Sequence, residues 1–383
     1  MQTTTNFAPH GVSSPHIPYF VDQANMNIVR VPTLWTVYIA TIPGRTRRPN
    51  TWLAYARNLL LWLNVCGENG WDWAAASEEH IAAWRNHLLA GRSDRTQRRY
   101  ARSTVISYIR TVCDFYEWAH KRGHIAQNPV RLIPKAFSRS ADGLLAHLGP
   151  NPDHLTKKVL VPQAAPERLP YFFTVEQRKR ILASLDARAR LQVRWALYTG
   201  IRIHELAALE LSQIPKVGGY TPGRLYKMTL TTTKAGKDRT LFVPSFLLDE
   251  TQHYVRYVRR SVVLASRRRV GSFAGTALWL GRWGTRVSTS AIRSDFRRGL
   301  ETAGLTEGRF HDLRHTYAIT MLDKLMQDSP DPKSRSREPL KALKRLLGHS
   351  SITSTEIYLR AREEYLDDIE PDDFELPGLV RSL

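Results

Sequence analysis

Phe310-His311-Asp312-Leu313-Arg314-His315-Thr316 is the stretch from which the architecture of this chain can be worked out. We predict a helix here, and because His311 and Arg314 stand three positions apart, both side chains extend from one face of that helix toward one point. We interpret His315 as a structural residue and Asp312 as a support for its neighbours. Taken alone, a histidine and an arginine at this spacing are equally typical of an exposed helix face.

Three further motifs accompany this stretch in the second half of the chain. They are Thr199-Gly200-Ile201-Arg202-Ile203-His204-Glu205-Leu206, Lys234-Ala235-Gly236-Lys237-Asp238-Arg239, and Leu346-Leu347-Gly348-His349 followed nine positions later by Tyr358. Each has an ordinary explanation on its own: Arg202 as a surface residue, His349 as a helix C-cap and Tyr358 as a core aromatic. We interpret His204 and Glu205 as structural. Together and in this order, the four motifs predict one site.

The pattern around the motifs predicts a mainly α-helical protein with one small antiparallel β-sheet. Apolar residues recur at helical spacing along most of the chain, whereas residues 225–233 and 240–243 have strand character and are joined by a hairpin turn at 235–238. We divide the chain into an N-terminal tail (1–30), a helical domain (31–135), a linker (136–167), an α+β domain (168–360) and an acidic C-terminal tail (361–383).

The charge of the chain indicates a polyanionic partner. Lys and Arg number 56 against 35 Asp and Glu, which leaves a net charge of +21. Nucleic acid is the commonest partner of such a protein, ahead of an acidic membrane surface. In the helical domain, arginines cluster where helices join, and arginine offers a planar fork for phosphate. Although charge runs are often only solvated faces, we expect these arginines to bind DNA: Arg45, Arg47, Arg48, Arg92, Arg95, Arg98, Arg99 and Arg102.

Cysteine content and apolar runs favour an intracellular protein. Cys66 and Cys113 are too few for a disulfide framework, and both lie in apolar helical patterns, as buried thiols do. The first residues lack a basic region followed by an apolar block, so we predict no secretory signal. The longest apolar stretch, 59–63, is far shorter than the ~20 residues that span a bilayer. We expect a soluble, cytoplasmic protein that acts on prokaryotic nucleoid DNA.

From about residue 174 to 358, the chain resembles the tyrosine recombinases, the phage-integrase family. The four motifs stand in that family's order, and the helical domain before them is similar to the family's core-binding domain. The resemblance implies a site-specific recombinase or integrase, typical of mobile genetic elements, that cleaves and rejoins double-stranded DNA without a cofactor. It also implies six catalytic residues: Arg202, Lys234, His311, Arg314, His349 and the nucleophile Tyr358.

The residue types suit this reaction on physical grounds as well. Cleavage of a phosphodiester passes through a pentacovalent phosphorus whose non-bridging oxygens carry extra negative charge. Arg202 and Arg314 can each bind two of those oxygens. Because fixed cations then neutralise the charge, we expect neither a metal ion nor a nucleotide.

The resemblance assigns the remaining roles. His311 positions or deprotonates Tyr358, and His349 donates a hydrogen bond to the scissile phosphate. Tyr358 attacks phosphorus and forms a 3′-phosphotyrosyl bond. Lys234 protonates the departing 5′-oxygen, with Lys237 as the alternative three residues later.

Two segments depart from a minimal catalytic domain. Residues 327–338 form a polar insertion between Arg314 and His349, which we interpret as a surface loop. The tail 361–383 has two basic and eight acidic residues, a net charge of 2 − 8 = −6, so the rest carries 21 + 6 = +27. In the resembled family this segment packs onto a neighbouring subunit, which implies a tetramer on two DNA duplexes. The tail's apolar anchors are Leu366, Ile369, Phe374 and Leu376.

Two other functions are compatible with these residues. A type IB topoisomerase uses similar chemistry but relaxes DNA without exchanging partners, and the helical domain ahead of the motifs favours recombination over it. A catalytically silent DNA-binding accessory protein is the second alternative. Binding alone does not call for a lysine, two histidines and a tyrosine at these positions.

Overall fold

The computed structural model describes residues 2–3, 17–41, 49–92, 97–134, 156–158, 160–163, 168–215, 219, 221–230, 238–270, 275–327, 337–349 and 353–369. The chain divides into two compact units, residues 1–167 and 168–383. Most of the described residues are helical, and each β-sheet among them is a two-stranded antiparallel pair. The predicted fold class is therefore confirmed.

The first unit is a bundle of four helices with short strands beside it. Its elements are β1 (Gln2–Thr3), β2 (Pro18–Tyr19), α1 (Arg30–Thr41), α2 (Pro49–Glu68), a 3₁₀ turn (Trp73–Ala75), α3 (Glu78–Ala90), α4 (Arg102–Lys121), β3 (Leu132–Pro134) and β4 (Thr156–Lys158). Helix α4 packs against the other three helices. A chain of two hydrogen bonds joins α2, α4 and the 3₁₀ turn: Nε1 of Trp62 donates to the Tyr116 hydroxyl (2.9 Å), which donates to the Trp73 carbonyl (2.8 Å).

The start of the described chain belongs to this bundle rather than to a detached tail. Ile17 and Phe20 are 1% and 2% exposed and lie in the same core as the helices. The Thr36 hydroxyl donates to the Pro18 carbonyl over 2.6 Å and so ties this segment to α1. Leu160, which the sequence places in the linker, is also buried in this core. Both segments are too short for helical periodicity, which is why the sequence pattern did not assign them to the bundle.

The second unit carries the four motifs. Its elements are α5 (Val175–Ser184), α6 (Ala187–Thr199), α7 (Ile203–Ala207), β5 (Leu225–Leu230), β6 (Arg239–Pro244), α8 (Ser245–His253), a π-helical turn (Tyr254–Arg259), α9 (Arg260–Val270), α10 (Thr289–Thr302), α11 (Phe310–Gln327), α12 (Arg337–Leu347) and α13 (Thr353–Glu364). Strands β5 and β6 pair antiparallel, with Leu225 opposite Pro244 and Leu230 opposite Arg239. This is the predicted hairpin, although its turn lies outside the described residues.

Helix α11 is the centre of this unit, and it explains how distant motifs meet. It packs against α6, α12 and α13, and most of its side chains are buried, including Leu313, Ile319 and Leu322. The motif at its N-terminal end therefore belongs to a helix that packs against α6, at whose end the Thr-Gly-Ile-Arg motif begins, and against α12 and α13, which carry the Leu-Leu-Gly-His motif and Tyr358. An ion pair between Asp323 and Arg362 (2.7 Å) fastens α13 to α11.

In the described part of the chain, no helix has both the length and the apolar character needed to cross a bilayer.

Candidate active site

Five of the six predicted catalytic residues lie in one connected group. Arg202 and Arg314 donate to neighbouring backbone carbonyls of the Leu-Leu-Gly-His segment. The His349 and Tyr358 rings are stacked, with centroids 6.3 Å apart and planes at 17°. His311 joins through His315, as detailed below. Lys234, the predicted general acid, and its alternative Lys237 lie outside the described residues.

Arg202 is held by the carboxylate of Glu205. It is the N-cap residue of α7, where its backbone N–H and its Nη1 both donate to Glu205 over 3.0 Å. From the other side, Nη2 of Arg239 donates to the same carboxylate over 2.8 Å. Glu205 is fully buried, and burial alone would raise the pKa of its carboxyl. The charges of Arg239 and Arg202 and the backbone hydrogen bond outweigh burial, so the pKa lies below its usual value and Glu205 is ionised.

Arg314 is a buried cation bonded to backbone oxygens. Its side chain is 2% exposed. One end of its guanidinium donates to the Gly200 carbonyl and the other to the Leu347 carbonyl over 2.6 Å. Burial, together with the charges of Arg202 and Arg239, lowers its pKa to about 9, which still leaves it protonated at neutral pH.

Gly200 makes this arrangement possible because it ends α6 in the left-handed region, with φ at 60°. A Cβ at this position would lie only 2.4 Å from the buried Tyr317 ring.

Three guanidiniums bind three successive carbonyls at the C-terminal end of α12. Arg239 donates to Leu346 (2.9 Å), Arg314 to Leu347 (2.6 Å) and Arg202 to Gly348 (3.1 Å). A helix C-terminus carries partial negative charge, so it stabilises these cations without neutralising them. With the single carboxylate of Glu205 counted, the group has a net charge of 3 − 1 = +2. Such a cluster suits an incoming phosphate.

Tyr358 is buried and bonded to a histidine that sequence reasoning had called structural. The side chain is 2% exposed, and its hydroxyl is hydrogen-bonded to Nδ1 of His315 over 2.9 Å. His311, the predicted partner, is exposed and contacts the His315 ring edge-to-face at 4.8 Å. Burial raises the pKa of Tyr358 more than Arg314 and Arg202 lower it, so the phenol is neutral. The signal for His315 was its spacing, since positions four apart share a helix face with His311.

Both described histidines that touch Tyr358 are neutral imidazoles. Burial is the main cause, and it lowers the pKa of His315 to about 3 with the help of His311 and Arg314. It lowers the pKa of His349 to about 4, with the nearby arginines adding to the effect. His349 is oriented by a hydrogen bond between its Nδ1 and the Thr355 hydroxyl (3.1 Å). Its Nε2 is thus the nitrogen that can serve a substrate oxygen.

A basic face of α12 borders the site. The residues of this face were not among those predicted from the sequence. Lys341, Lys344 and Arg345 line a cavity of about 300 Å³ together with Gly348 and His349. The opposite face of α12 packs into the core through its leucines. The amphipathic spacing of this helix, with its cations on one side, was the available signal.

The arginines predicted to bind DNA lie in the first unit. Arg92, Arg98, Arg99 and Arg102 are exposed. Arg92 and Arg99 face each other in a short antiparallel bridge, and Nη1 of Arg92 donates to the Gln97 carbonyl (3.3 Å). The other predicted arginines lie outside the described residues: Arg45, Arg47, Arg48 and Arg95.

Among the described residues, no group of three or more His, Cys, Asp or Glu side chains is arranged as a metal site.

Comparison with known proteins assigns the chain to a family. The model of the phage integrase family matches residues 171–364, and that of the phage integrase N-terminal SAM-like domain matches residues 37–123. Tyrosine recombinase XerC of Lactobacillus delbrueckii subsp. bulgaricus is 25% identical over 84% of this chain and 92% of its own.

Two solved structures share the fold. One is XerH site-specific recombinase bound to palindromic difH substrate in a post-cleavage complex, with a TM-score of 0.56, 17% identity, and coverage of 83% of this chain and 78% of that chain. The other is a lambda integrase tetramer bound to a Holliday junction, with a TM-score of 0.52, 17% identity, and coverage of 85% and 75%. With the family model spanning more than half of its residues, this chain belongs to the phage integrase family, the tyrosine recombinases, and is a site-specific recombinase.

Proposed function

We propose that this enzyme cleaves and rejoins double-stranded DNA through a 3′-phosphotyrosyl intermediate. The observation that carries the proposal is the convergence of two guanidiniums and a neutral imidazole on the elements that surround Tyr358. A phosphodiester bound there takes N–H donors from Arg202, Arg314 and His349. These donors neutralise the charge that builds on the non-bridging oxygens as phosphorus becomes pentacovalent.

The chemical step is a transesterification. The Tyr358 oxygen forms a bond to phosphorus while the bond from phosphorus to the 5′-oxygen breaks, which leaves a 3′-phosphotyrosine and a free 5′-hydroxyl. The 5′-oxygen needs a proton, which we assign to Lys234 on the hairpin. Since one phosphoester replaces another, rejoining is the same step in reverse and needs no nucleotide.

The phenolic proton leaves toward the histidines of α11. In the free enzyme the phenol and Nδ1 of His315 share a hydrogen bond, in which we assign the phenol as the donor. His315 is a poor base there because it is packed in the protein interior near Arg314. A bound phosphodiester brings negative charge next to Arg314 and so offsets the positive charge of Arg314, which is one of the causes of the low pKa of His315. His315 then accepts the proton more readily, and exposed His311 relays it to solvent. Substrate binding thus activates the nucleophile.

We further propose that the exposed arginines of the first unit and the basic face of α12 bind DNA phosphates. Supporting this, the chain outside its acidic tail carries a net charge of 21 + 6 = +27. Cations near phosphates release counterions, which makes binding strongly dependent on salt. We place this activity in the cytoplasm of a prokaryote, on chromosomal or mobile-element DNA.

We propose a tetramer on two duplexes, held together by exchanged C-terminal tails. The tail begins in the last turn of α13, and beyond that helix Ile369 is half-buried against the core of the second unit while Leu366 is 48% exposed. The related lambda integrase is a tetramer on a Holliday junction. Removing residues after Asp368 should weaken pairing of two DNA sites and leave cleavage of single sites intact. Unchanged pairing would contradict tail exchange.

The test of the central proposal is capture of the covalent intermediate. The full chain is incubated with a pool of singly nicked duplexes of randomised sequence, and DNA that stays attached to protein in detergent is sequenced. We expect an adduct that Tyr358→Phe abolishes. The control is Tyr365→Phe, whose ring stacks on Phe172 at 5.3 Å, and it should leave the adduct unchanged. An adduct that persists in Tyr358→Phe refutes the assignment.

A further inference from the structure

We infer that Arg239 is a positioning residue for DNA cleavage, acting through Arg202 and His349; this rests on the proposed function. Arg239 is the first residue of β6, and its side chain is 8% exposed. Its Nη2 donates to the Glu205 carboxylate (2.8 Å) and its Nη1 to the Leu346 carbonyl (2.9 Å). It is therefore fixed at both ends of its guanidinium.

These contacts form a closed ring of hydrogen bonds that includes Arg202, one of the cations proposed to bind phosphate. From Leu346 the ring runs through Arg239 to Glu205, from Glu205 to Arg202, and from Arg202 back to the Gly348 carbonyl. Every link is a charge-assisted hydrogen bond, and such bonds are shorter and stronger than neutral ones. Removing Arg239 opens the ring where β6 meets the end of α12. Arg202 then remains hydrogen-bonded to Glu205, but the Glu205 carboxylate no longer has Arg239 as its second partner.

Arg239 also packs on the residue before His349. Gly348 has φ at 61°, and a Cβ there would lie 2.9 Å from Cδ of Arg239. The aliphatic part of Arg239 thus lies directly against the backbone that delivers His349. The same side chain sets the direction of Arg202 and the position of His349, both proposed to bind the scissile phosphate.

Only an arginine satisfies this geometry. Its two Nη groups reach a carboxylate and a carbonyl on different elements, and the planar guanidinium holds them at a fixed separation. A lysine ammonium retains the charge but cannot keep both contacts with that geometry. Arg239→Lys should therefore be defective although the buried charge is preserved.

The chain contains a control with the same hydrogen-bond pattern at a partly buried arginine, Arg188, whose side chain is 20% exposed. Arg188 donates through Nη2 to Asp295 (2.7 Å) and through Nη1 to the Leu280 carbonyl (3.1 Å). Asp295 in turn binds Arg298, as Glu205 binds Arg202. Arg188 joins α6 to α10 and contacts none of the proposed catalytic residues in the described structure. Arg188→Met removes a comparable network without touching the site.

The experiment measures the single-turnover rate of adduct formation at saturating DNA, using a nicked duplex recovered from the capture experiment. Two versions of this duplex are compared, one with a phosphodiester and one with an uncharged methylphosphonate at the scissile position. With the phosphodiester, Arg239→Met should lower the rate by about 10²–10³-fold, the effect of losing a preorganised donor. With the methylphosphonate, the loss should be no more than about tenfold, because less charge needs neutralising.

Arg239→Lys should lie between wild type and Arg239→Met and show the same substrate dependence. Arg188→Met should change both rates by one common factor. The double variant Arg202→Met/Arg239→Met should be slower than Arg202→Met by a smaller factor than Arg239→Met costs in the wild type, since the part of the effect that passes through Arg202 is already lost.

Equal losses on the two substrates for both Arg239 variants would show a merely structural role and overturn the inference. A substrate dependence in Arg188→Met equal to that of Arg239→Met would overturn it as well. In either case a wild-type adduct that Tyr358→Phe abolishes leaves the proposed function standing. If wild-type enzyme forms no adduct on any duplex, the proposed function fails and this inference falls with it.

Discussion

The hydrogen bond between His315 and Tyr358 can be tested by removing its two partners separately and together. His315→Leu leaves the buried phenol of Tyr358 without its hydrogen-bond partner, and Tyr358→Phe leaves the half-buried imidazole of His315 without the hydroxyl. The double variant replaces both partners with apolar groups. Because the hydrogen bond joins α11 to α13 over 2.9 Å, its loss should lower the free energy of local unfolding of α13.

The expected size of the effect follows from the burial of the Tyr358 phenol and the partial burial of the His315 imidazole. A buried polar group left unsatisfied costs about 1–3 kcal/mol, whereas replacing both partners with apolar groups is nearly neutral. Each single variant should therefore speed amide exchange in α13 by about 5- to 150-fold, the factor that corresponds to 1–3 kcal/mol. The double variant should exchange within about threefold of wild type, because the unsatisfied group is gone.

Hydrogen exchange of the full chain, followed by mass spectrometry of α13 peptides, measures these openings directly. The control is Arg362→Met, which removes the ion pair between α13 and Asp323 on α11. It should speed exchange by the same factor in wild type and in Tyr358→Phe, since the two contacts are independent. The reasoning is refuted if His315→Leu and Tyr358→Phe are additive, with the double variant exchanging faster than either single variant.

Three further outcomes follow from the site's geometry and charges. Gly200→Ala should lower the free energy of unfolding in urea by about 2–5 kcal/mol. Positive φ costs a residue with a Cβ about 1–2 kcal/mol, and the steric clash with Tyr317 adds about 1–3 kcal/mol. Adding Tyr317→Leu to the Gly200→Ala chain should recover the cost of the clash. Folding lowers the pKa of His315 from 6.5 to about 3 and that of His349 from 6.5 to about 4. As pH falls from 6.5 to 5, both histidines therefore take up protons in the unfolded chain but stay neutral in the folded protein, which lowers the free energy of unfolding. The urea midpoint should fall over this range, and it should fall less in His315→Asn. Lys344→Gln should reduce the slope of log Kd against log salt for duplex DNA by about 0.9, the value for one phosphate contact, and an unchanged slope would remove Lys344 from the DNA surface.

Local patterns in the sequence predicted the elements that carry the site. Thr174 and Gln177 form a capping box, a pattern of neighbouring residue types, at the start of α5, where the Gln177 N–H donates to the Thr174 hydroxyl (3.3 Å). Gly200 ends α6, and the two strands pair as a hairpin. These features depend on neighbours within a few residues, so spacing and residue type suffice to find them.

Contacts between distant segments were not visible in the same way. Glu205 was interpreted as structural, and it does bond to the N-cap residue of its own helix, but it also binds Arg239, 34 positions away. His315 was interpreted as structural; its spacing places it on the same helix face as His311, but spacing alone does not tell which of the two will meet Tyr358 on α13. Residues 17–20 join the first core through side chains that show no period. Long-range packing decides these roles, and a single sequence does not display it.

The choice of acceptors explains how this unit can bury three guanidiniums and still bind an anion. A buried cation needs acceptors, and a carboxylate for each arginine would leave no net charge for a phosphate. Here Glu205 is shared by two arginines, and the remaining contacts go to the carbonyls of Gly200, Leu346, Leu347 and Gly348. Carbonyls satisfy the N–H donors and fix their direction while carrying only partial charge. The net +2 that remains comes from the guanidiniums, and because each of them is bonded to a backbone carbonyl at the end of α12, the placement of α12 helps to set their geometry.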